Sequence, residues 1–216
     1  MCVAVITGDI INSSQLNHSQ REEMIKLLRT ILKDITSQEV GSKAETFRGD
    51  SFQVMVPGYM HSLKYAILVR AGLRRMEFTS QNKVKQVDGR VSLGVGDVSF
   101  KTDTLGTSDG NAFRRSGRGL ENLTKNYGLS VNTPWAWINE EMKVSCALVE
   151  CIIGRWTKAQ ADIIYEYLLY QKTQRELAGK FGITQGAVSQ RISVSGNVQE
   201  VKMMIQRFEK LIEKAN

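Results

Sequence analysis

The stretch FRGDSFQVMVPG, residues 47–58, sets Gly49-Asp50 between two strand-like runs, Lys43 to Arg48 and Ser51 to Val56. A Gly-Asp pair at such a break suits a tight turn, so the spacing predicts two antiparallel strands joined by a two-residue hairpin. Pro57-Gly58 closes the second strand, since proline offers no N–H to a ladder. Upstream, Cys2 to Thr7 is a short apolar, β-branched run ending at Gly8-Asp9, which reads as a buried strand feeding a loop. Ser19 to Glu22 carries a capping-box pattern, and Met24, Leu27, Leu28, Ile31, Leu32 and Ile35 fall on one helical face. Downstream, helical spacing runs over His61 to Phe78 through Leu63, Ile67, Leu73 and Met76; Asp88-Gly89 then precedes a strand candidate at Arg90 to Phe100. The resulting order, βαββαβ, is that of a ferredoxin-like fold in which two helices cover one face of an antiparallel sheet.

The pattern continues with a helix around Ala112, Phe113, Leu120 and Leu123, a short strand at Leu129 to Asn132, and a helix from about Ile138 to Ile153. Gly154-Arg155-Trp156 reads as a joint, because Thr157 to Gln160 is again a capping box that opens a new helix. No repeat or low-complexity linker intervenes, so close packing of the two parts is expected. From Thr173 the text runs TQRELAGKFGITQGAVSQRI, a short amphipathic helix, a Gly-centred turn and a second short helix. Ala178 is small where crossing helices approach, Gly182 permits a positive φ, and Val188 is apolar where the second helix meets the first. Leu177, Phe181, Ile183 and Ile192 complete that core, and Thr184 suits the N-cap of the second helix. This is the pattern of a DNA-binding helix-turn-helix. Gln185, Ser189 and Gln190 are placed for base edges, and Arg175, Lys180 and Arg191 for phosphates. Glycine at Gly186 weakens the second helix by about 1 kcal/mol relative to alanine. Val198, Val201, Ile205, Phe208 and Ile212 form a stripe on a last helix, Asn197 to Lys214, suited to a core or to a homodimer seam.

Composition narrows the class of partner. The 216 residues carry a formal net charge of +7 at a pI near 9.4, which favours acidic partners such as nucleic acid or nucleotides. From Gly154 onward 10 Lys/Arg face 6 Asp/Glu, so positive charge is denser in the C-terminal third. Cys2, Cys146 and Cys151 are too few and too irregular for a secreted disulfide framework or a zinc finger. Asp9 interrupts the N-terminal apolar run, and no signal peptide or membrane span is read there, so a cytoplasmic protein is expected.

Asp9 ends the first strand and Asp50 sits in the hairpin, so the predicted sheet brings both carboxylates to one edge. Such a pair can hold Mg²⁺ against nucleotide phosphates. Arg114, Arg115 and Arg118 lie on the predicted helix that follows, spaced to face phosphates. FRGDSFQVMVPG resembles the hairpin of GGDEF-type nucleotide cyclases, and GRVSLGVG resembles their following strand. GDI after the first strand and GNAFRRSGRGLE resemble pieces of class III nucleotidyl cyclases. With the helix-turn-helix appended, the whole chain resembles the SatD family. The resemblance implies an α+β protein: a ferredoxin-like, palm domain over 1–153, then an all-α helix-turn-helix domain over 154–216. It aligns Arg118 with the transition-state arginine of the class III cyclases. It also shows departures. Arg114 stands in place of their nucleotide-orienting Asn, Thr46 in place of a purine-selecting Lys or Glu, and Ser51 in place of an acidic residue of the GGDEF-type hairpin.

The leading expectation is a transcription regulator that contacts double-stranded DNA through Arg175, Lys180, Thr184, Gln185, Ser189, Gln190 and Arg191, with a degenerate, nucleotide-sensing cyclase-like domain. The alternative is a nucleotidyl cyclase or related nucleotidyltransferase, with Asp9 and Asp50 holding Mg²⁺ or Mn²⁺ and Arg118 stabilising phosphate charge. A third reading makes the helix-turn-helix a protein-interaction module.

Overall fold

The computed structural model describes residues 2–100, 104–124, 128–194 and 196–215, the side chain of Val194 excepted. Its main sheet has five strands: β1 (Cys2–Ile10), β2 (Lys43–Phe47), β3 (Ser51–Val56), β6 (Gly89–Asp97) and β7 (Leu129–Asn132), in the order β2-β3-β1-β6-β7. The first four are antiparallel to their neighbours and β7 runs parallel to β6. The expected ferredoxin-like order is therefore present, extended by one parallel strand.

Strand β1 lies at the centre and is covered on both faces, which explains why Val3, Ala4, Val5 and Ile6 are all buried. On one face, Ala4 and Ile6 pack with α1 (His18–Thr36) and α2 (Ser62–Leu73). On the other, Val3, Val5 and Met55 meet Ala112 and Phe113 of α3 (Asn111–Glu121) and Leu105. Helix α3 lies close against β6: a Cβ at Gly94 would strike the backbone of Ala112 and Ser116, so the helix needs glycine there.

Several boundaries differ from expectation. The hairpin loop is Arg48-Gly49-Asp50, three residues, since Phe47 pairs with Ser51; Arg48 and Gly49 both take positive φ, 50° and 84°. Helix α1 is capped by Asn17, whose side chain accepts from Gln20 N at 2.9 Å, and not by Ser19. Helix α2 stops at Leu73, and Phe78 lies in a separate hairpin, β4 (Glu77–Ser80) and β5 (Lys83–Gln86), turning at Gln81 and Asn82 with φ of 53° and 59°. Strand β6 ends at Asp97, leaving Phe100 in a single bridge to Asp109.

The C-terminal helices are α4 (Ala136–Ile153), α5 (Lys158–Tyr170), α6 (Gln174–Phe181), α7 (Gln185–Ser189) and α8 (Val198–Ala215), with a π-helical segment Gln190–Val194 after α7. Thr157 caps α5 through the expected box with Gln160. No gap in packing marks the joint at Gly154. Trp156, Ile163, Tyr165, Leu177, Val188 and Phe208 belong to the same apolar cluster as Ile6, Met24 and Ile67. Helix α2 is consequently buried at every position but Lys64. The α8 stripe, Val198, Val201, Ile205, Phe208 and Ile212, is buried in this core.

Polar ties cross the joint as well. Arg70, 1% exposed, donates to both oxygens of Asp88 at 3.0 and 2.8 Å and to Glu150. Arg74 donates to Asp88 at 2.7 Å, to Gly154 O at 2.9 Å and to Trp156 O. Tyr165 Oη lies 3.0 Å from Asp34 Oδ2, and Trp156 Nε1 donates to Gly196 O at 2.6 Å. Buried charges this well paired are costly to disturb one at a time.

Candidate functional site

Register places the predicted carboxylates. Asp9 lies opposite Ser51 on one side and Arg90 on the other, and Ile10 N donates to Asp50 O at 2.9 Å. Asp9 and Asp50 thus occupy the same sheet edge, as expected. Their side chains are engaged. Both oxygens of Asp9 accept from Arg90, Oδ1 from Nε at 3.0 Å and Oδ2 from Nη2 at 2.5 Å, a bidentate fork. These hydrogen bonds hold the Arg90 guanidinium above its ordinary pKa. Arg90 also reaches Leu123 O. Asp50 Oδ2 accepts from Ser13 Oγ at 2.8 Å, and Ser51 Oγ lies 3.5 Å from Asp50 Oδ1.

One row inward, Glu45, Gln53, Thr7, Ser92 and Ser130 stand in register across all five strands, on the α3 face. Thr7 Oγ1 is 2.8 Å from Ser116 Oγ of α3 and accepts from Gln53 Nε2 at 3.1 Å. Ser92 Oγ accepts from Ser130 at 2.9 Å and from Asn132 at 3.1 Å. Glu45 Oε2 accepts from the amides of Leu105 and Gly106 at 2.7 and 3.1 Å. The α3 face is therefore apolar towards Val3 and polar towards Asp9.

Helix α3 runs along β6 from the Asp97 end, where Asn111 donates to Asp97, towards the Arg90 end, where Leu123 O lies. The three predicted arginines do not act as one cluster. Arg114 pairs with Asp109 at 2.5 Å, and that hydrogen bond holds the Asp109 carboxyl below its usual range. Arg115 donates to Val95 O at 2.9 Å. Arg118 is exposed, one turn beyond Arg114 and towards the Asp9 end.

The second predicted site is built from α6 and α7. Thr173 caps α6 by a reciprocal box with Glu176, and Thr184 Oγ1 accepts from Ala187 N at 3.1 Å to cap α7. Between them Gly182 takes φ 63°, ψ 32°, the left-handed exit expected of it. Leu177 and Val188 are fully buried where the two helices meet. Arg175, Thr184, Gln185 and Gln190 are exposed, while Ser189 and Arg191 are half-buried. Lys180 is exposed but tied: its Nζ lies 2.6 Å from Glu166 Oε1, and Lys172 takes the other oxygen at the same distance. Burial opposes ionisation of Glu166, but these two ammonium groups outweigh it and hold its pKa below the usual value.

No protein-family model matches the chain, and no curated protein matches it. Among solved structures, the active GGEEF domain of a diguanylate cyclase from Vibrio cholerae is similar over 62% of this chain and 83% of its own, at 16% identity and a TM-score of 0.44. The GGDEF domain of DgcB from Caulobacter crescentus, solved with c-di-GMP, is similar over 61% of this chain and 77% of its own, at 11% identity and a TM-score of 0.46. A bacterial light-regulated adenylyl cyclase is similar over 60% of this chain and 74% of its own, at 17% identity and a TM-score of 0.41. At these values the similarity assigns neither ligand nor activity to this chain. Among the described residues, no helix is long and apolar enough to cross a membrane.

The resemblance to cyclases implies Mg²⁺ or Mn²⁺ at Asp9 and Asp50, and the donor set does not fit one. Arg90 already satisfies both oxygens of Asp9, Ser13 holds Asp50, and the neighbouring place in the row is the hydroxyl of Ser51. Among the described residues no group of three or more His, Cys, Asp or Glu is arranged for a metal. A hard divalent cation needs several free oxygens at one point. Arg90 and Ser13 are the residues that sequence reading missed. Arg90 shares the outward parity of Asp9 only once the β1–β6 register is known.

Proposed function

We propose that the chain is a DNA-binding regulator whose output is the α6–α7 pair, carried on a non-catalytic palm-like sheet domain. The observation that carries this reading is the pair itself: two capped short helices, a left-handed Gly182 turn, a core of Leu177 and Val188, and an outer surface offering Arg175, Gln185 and Gln190. Glutamine can pair with adenine edges in a major groove, and arginine neutralises phosphates. The net charge of +7 supports an acidic partner. Lys180 is paired with Glu166, which offsets part of its charge towards DNA. The test is selection of genomic duplex fragments by the full-length protein at low salt. Enrichment of a discrete set, lost in the double variant Gln185→Ala/Arg191→Ala, is expected; no enrichment, or no effect of the variant, overturns the reading.

A second reading, nucleotidyl transfer at the Asp9 edge, requires Arg90 and Ser13 to release the two carboxylates. It is favoured by Asp9 and Asp50 sharing that edge and by Arg118 standing exposed towards it. Incubation with all four nucleoside triphosphates and Mg²⁺ or Mn²⁺ tests it. A product that disappears in Asp50→Asn would establish it, and no turnover removes it.

A further inference from the structure

A cleft of about 690 Å³ opens between the start of α2, the end of α5 and the face of α8, away from both sites described above. That volume lies within the range of small-molecule sites. Its polar groups are unevenly charged. Lys64, His61 and Lys202 line it, and among the described residues of its wall Glu209 is the one carboxylate. Glu209 Oε1 is already 2.7 Å from His61 Nδ1. Nearby Glu39 does not line the cleft and accepts from the amide of Gly58.

Lys64 is the one residue of α2 that the core does not bury, and it projects into this cleft. Burial there lowers its pKa, with the charge of Glu209 acting the other way. Its ammonium thus lacks both full hydration and a direct ion-pair partner among the salt bridges of the described residues. Lys202 Nζ rests 3.4 Å from Tyr167 Oη and 5.1 Å from the centre of that ring. The cleft therefore presents two ammonium groups beside a phenol ring and the amide of Gln171.

We propose that this cleft binds a phosphorylated small molecule of about nucleotide size, its phosphate held by Lys64 and Lys202 and its body lying against Tyr167. A phosphate's several acceptor oxygens suit separated point donors such as lysines. The proposal is independent of DNA binding, since none of these residues belongs to α6 or α7.

Isothermal titration of the full-length protein with ATP, GTP, ribose 5-phosphate and inorganic phosphate tests it. At least one probe is expected to bind with a dissociation constant of about 1 mM or tighter. Lys64→Met and Lys202→Met are each expected to weaken that binding about tenfold, or about 1.4 kcal/mol. Glu209→Gln removes the wall's negative charge and is expected to tighten it, a gain that misfolding cannot produce. Circular dichroism confirms that each variant folds. The proposal is overturned if no probe binds with a dissociation constant of about 1 mM or tighter, or if the folded lysine variants bind like the parent. Should the lysine variants not fold, unchanged or weaker binding by Glu209→Gln overturns it.

Discussion

Arg70 is a guanidinium placed inside the protein, and its surroundings decide what it costs to lose. Burial works against its charge, but Asp88 and Glu150 outweigh that and raise its pKa further. Burial likewise opposes ionisation of Asp88, yet the charges and hydrogen bonds of Arg70 and Arg74 hold its carboxyl below the usual range. Arg70→Met leaves both carboxylates short of a partner and is expected to destabilise the fold by about 3–5 kcal/mol, read by urea unfolding. The pH dependence has a fixed sign. Because the folded pKa of Asp88 is depressed, its stabilisation is complete above the unfolded carboxylate value, about 3.9, and disappears as pH falls through the lower folded value. Parent stability is therefore expected to decline on acidification below about pH 4. In Arg70→Met that contribution from Asp88 should shrink, so a parent-like acid decline attributable to Asp88 would contradict the assignment. The half-exposed Asp9–Arg90 pair is a different case. A double-mutant cycle there is expected to give a coupling of no more than about 1 kcal/mol.

At the scale of elements, the α6–α7 pair depends on three local features. Thr173→Ala and Thr184→Ala each remove a cap and are expected to cost about 1 kcal/mol by thermal or urea unfolding. At Gly182 an added Cβ would meet nothing within 4 Å, so Gly182→Ala tests backbone strain alone. Its φ of 63° predicts a loss of about 1 kcal/mol. These features were legible in sequence because each is a short-range pattern. The first helix shows where such patterns run out. Asn17 to Gln20 and Ser19 to Glu22 both have the spacing of a box, and the structure uses the earlier one, with Ser19 inside the helix. The β4–β5 hairpin carries no short-range mark in the sequence, because Met76 continues the apolar spacing of α2 and the turn at Gln81 and Asn82 lacks the glycine that usually marks one. The sheet order followed from the succession of elements; the Arg90 and Ser13 partners of the carboxylates did not, since contacts across 81 and 37 residues depend on register.

For the whole molecule, the continuity of the core across Gly154 has mechanical consequences. Trp156 is fully buried, donates to Gly196 O, and packs in a cluster that reaches from β1 to α8. Trp156→Ala is expected to cost about 3–5 kcal/mol, and tryptophan fluorescence and far-ultraviolet dichroism should report one coincident unfolding transition in the parent. Two separated transitions would show that the sheet part and the helical part are energetically independent. The same continuity gives α6 and α7 a firm mount, with Glu166 of α5 gripping Lys172 and Lys180. A rigid mount suits the presentation of a few side chains to a groove. The most direct measurement is fluorescence anisotropy of a selected duplex titrated with full-length protein across a salt series. Affinity is expected to fall as salt rises, with a shallower salt slope in Arg175→Ala and loss of preference among duplexes in Gln185→Ala. Binding that is absent at low salt, or identical in all three proteins, would contradict it.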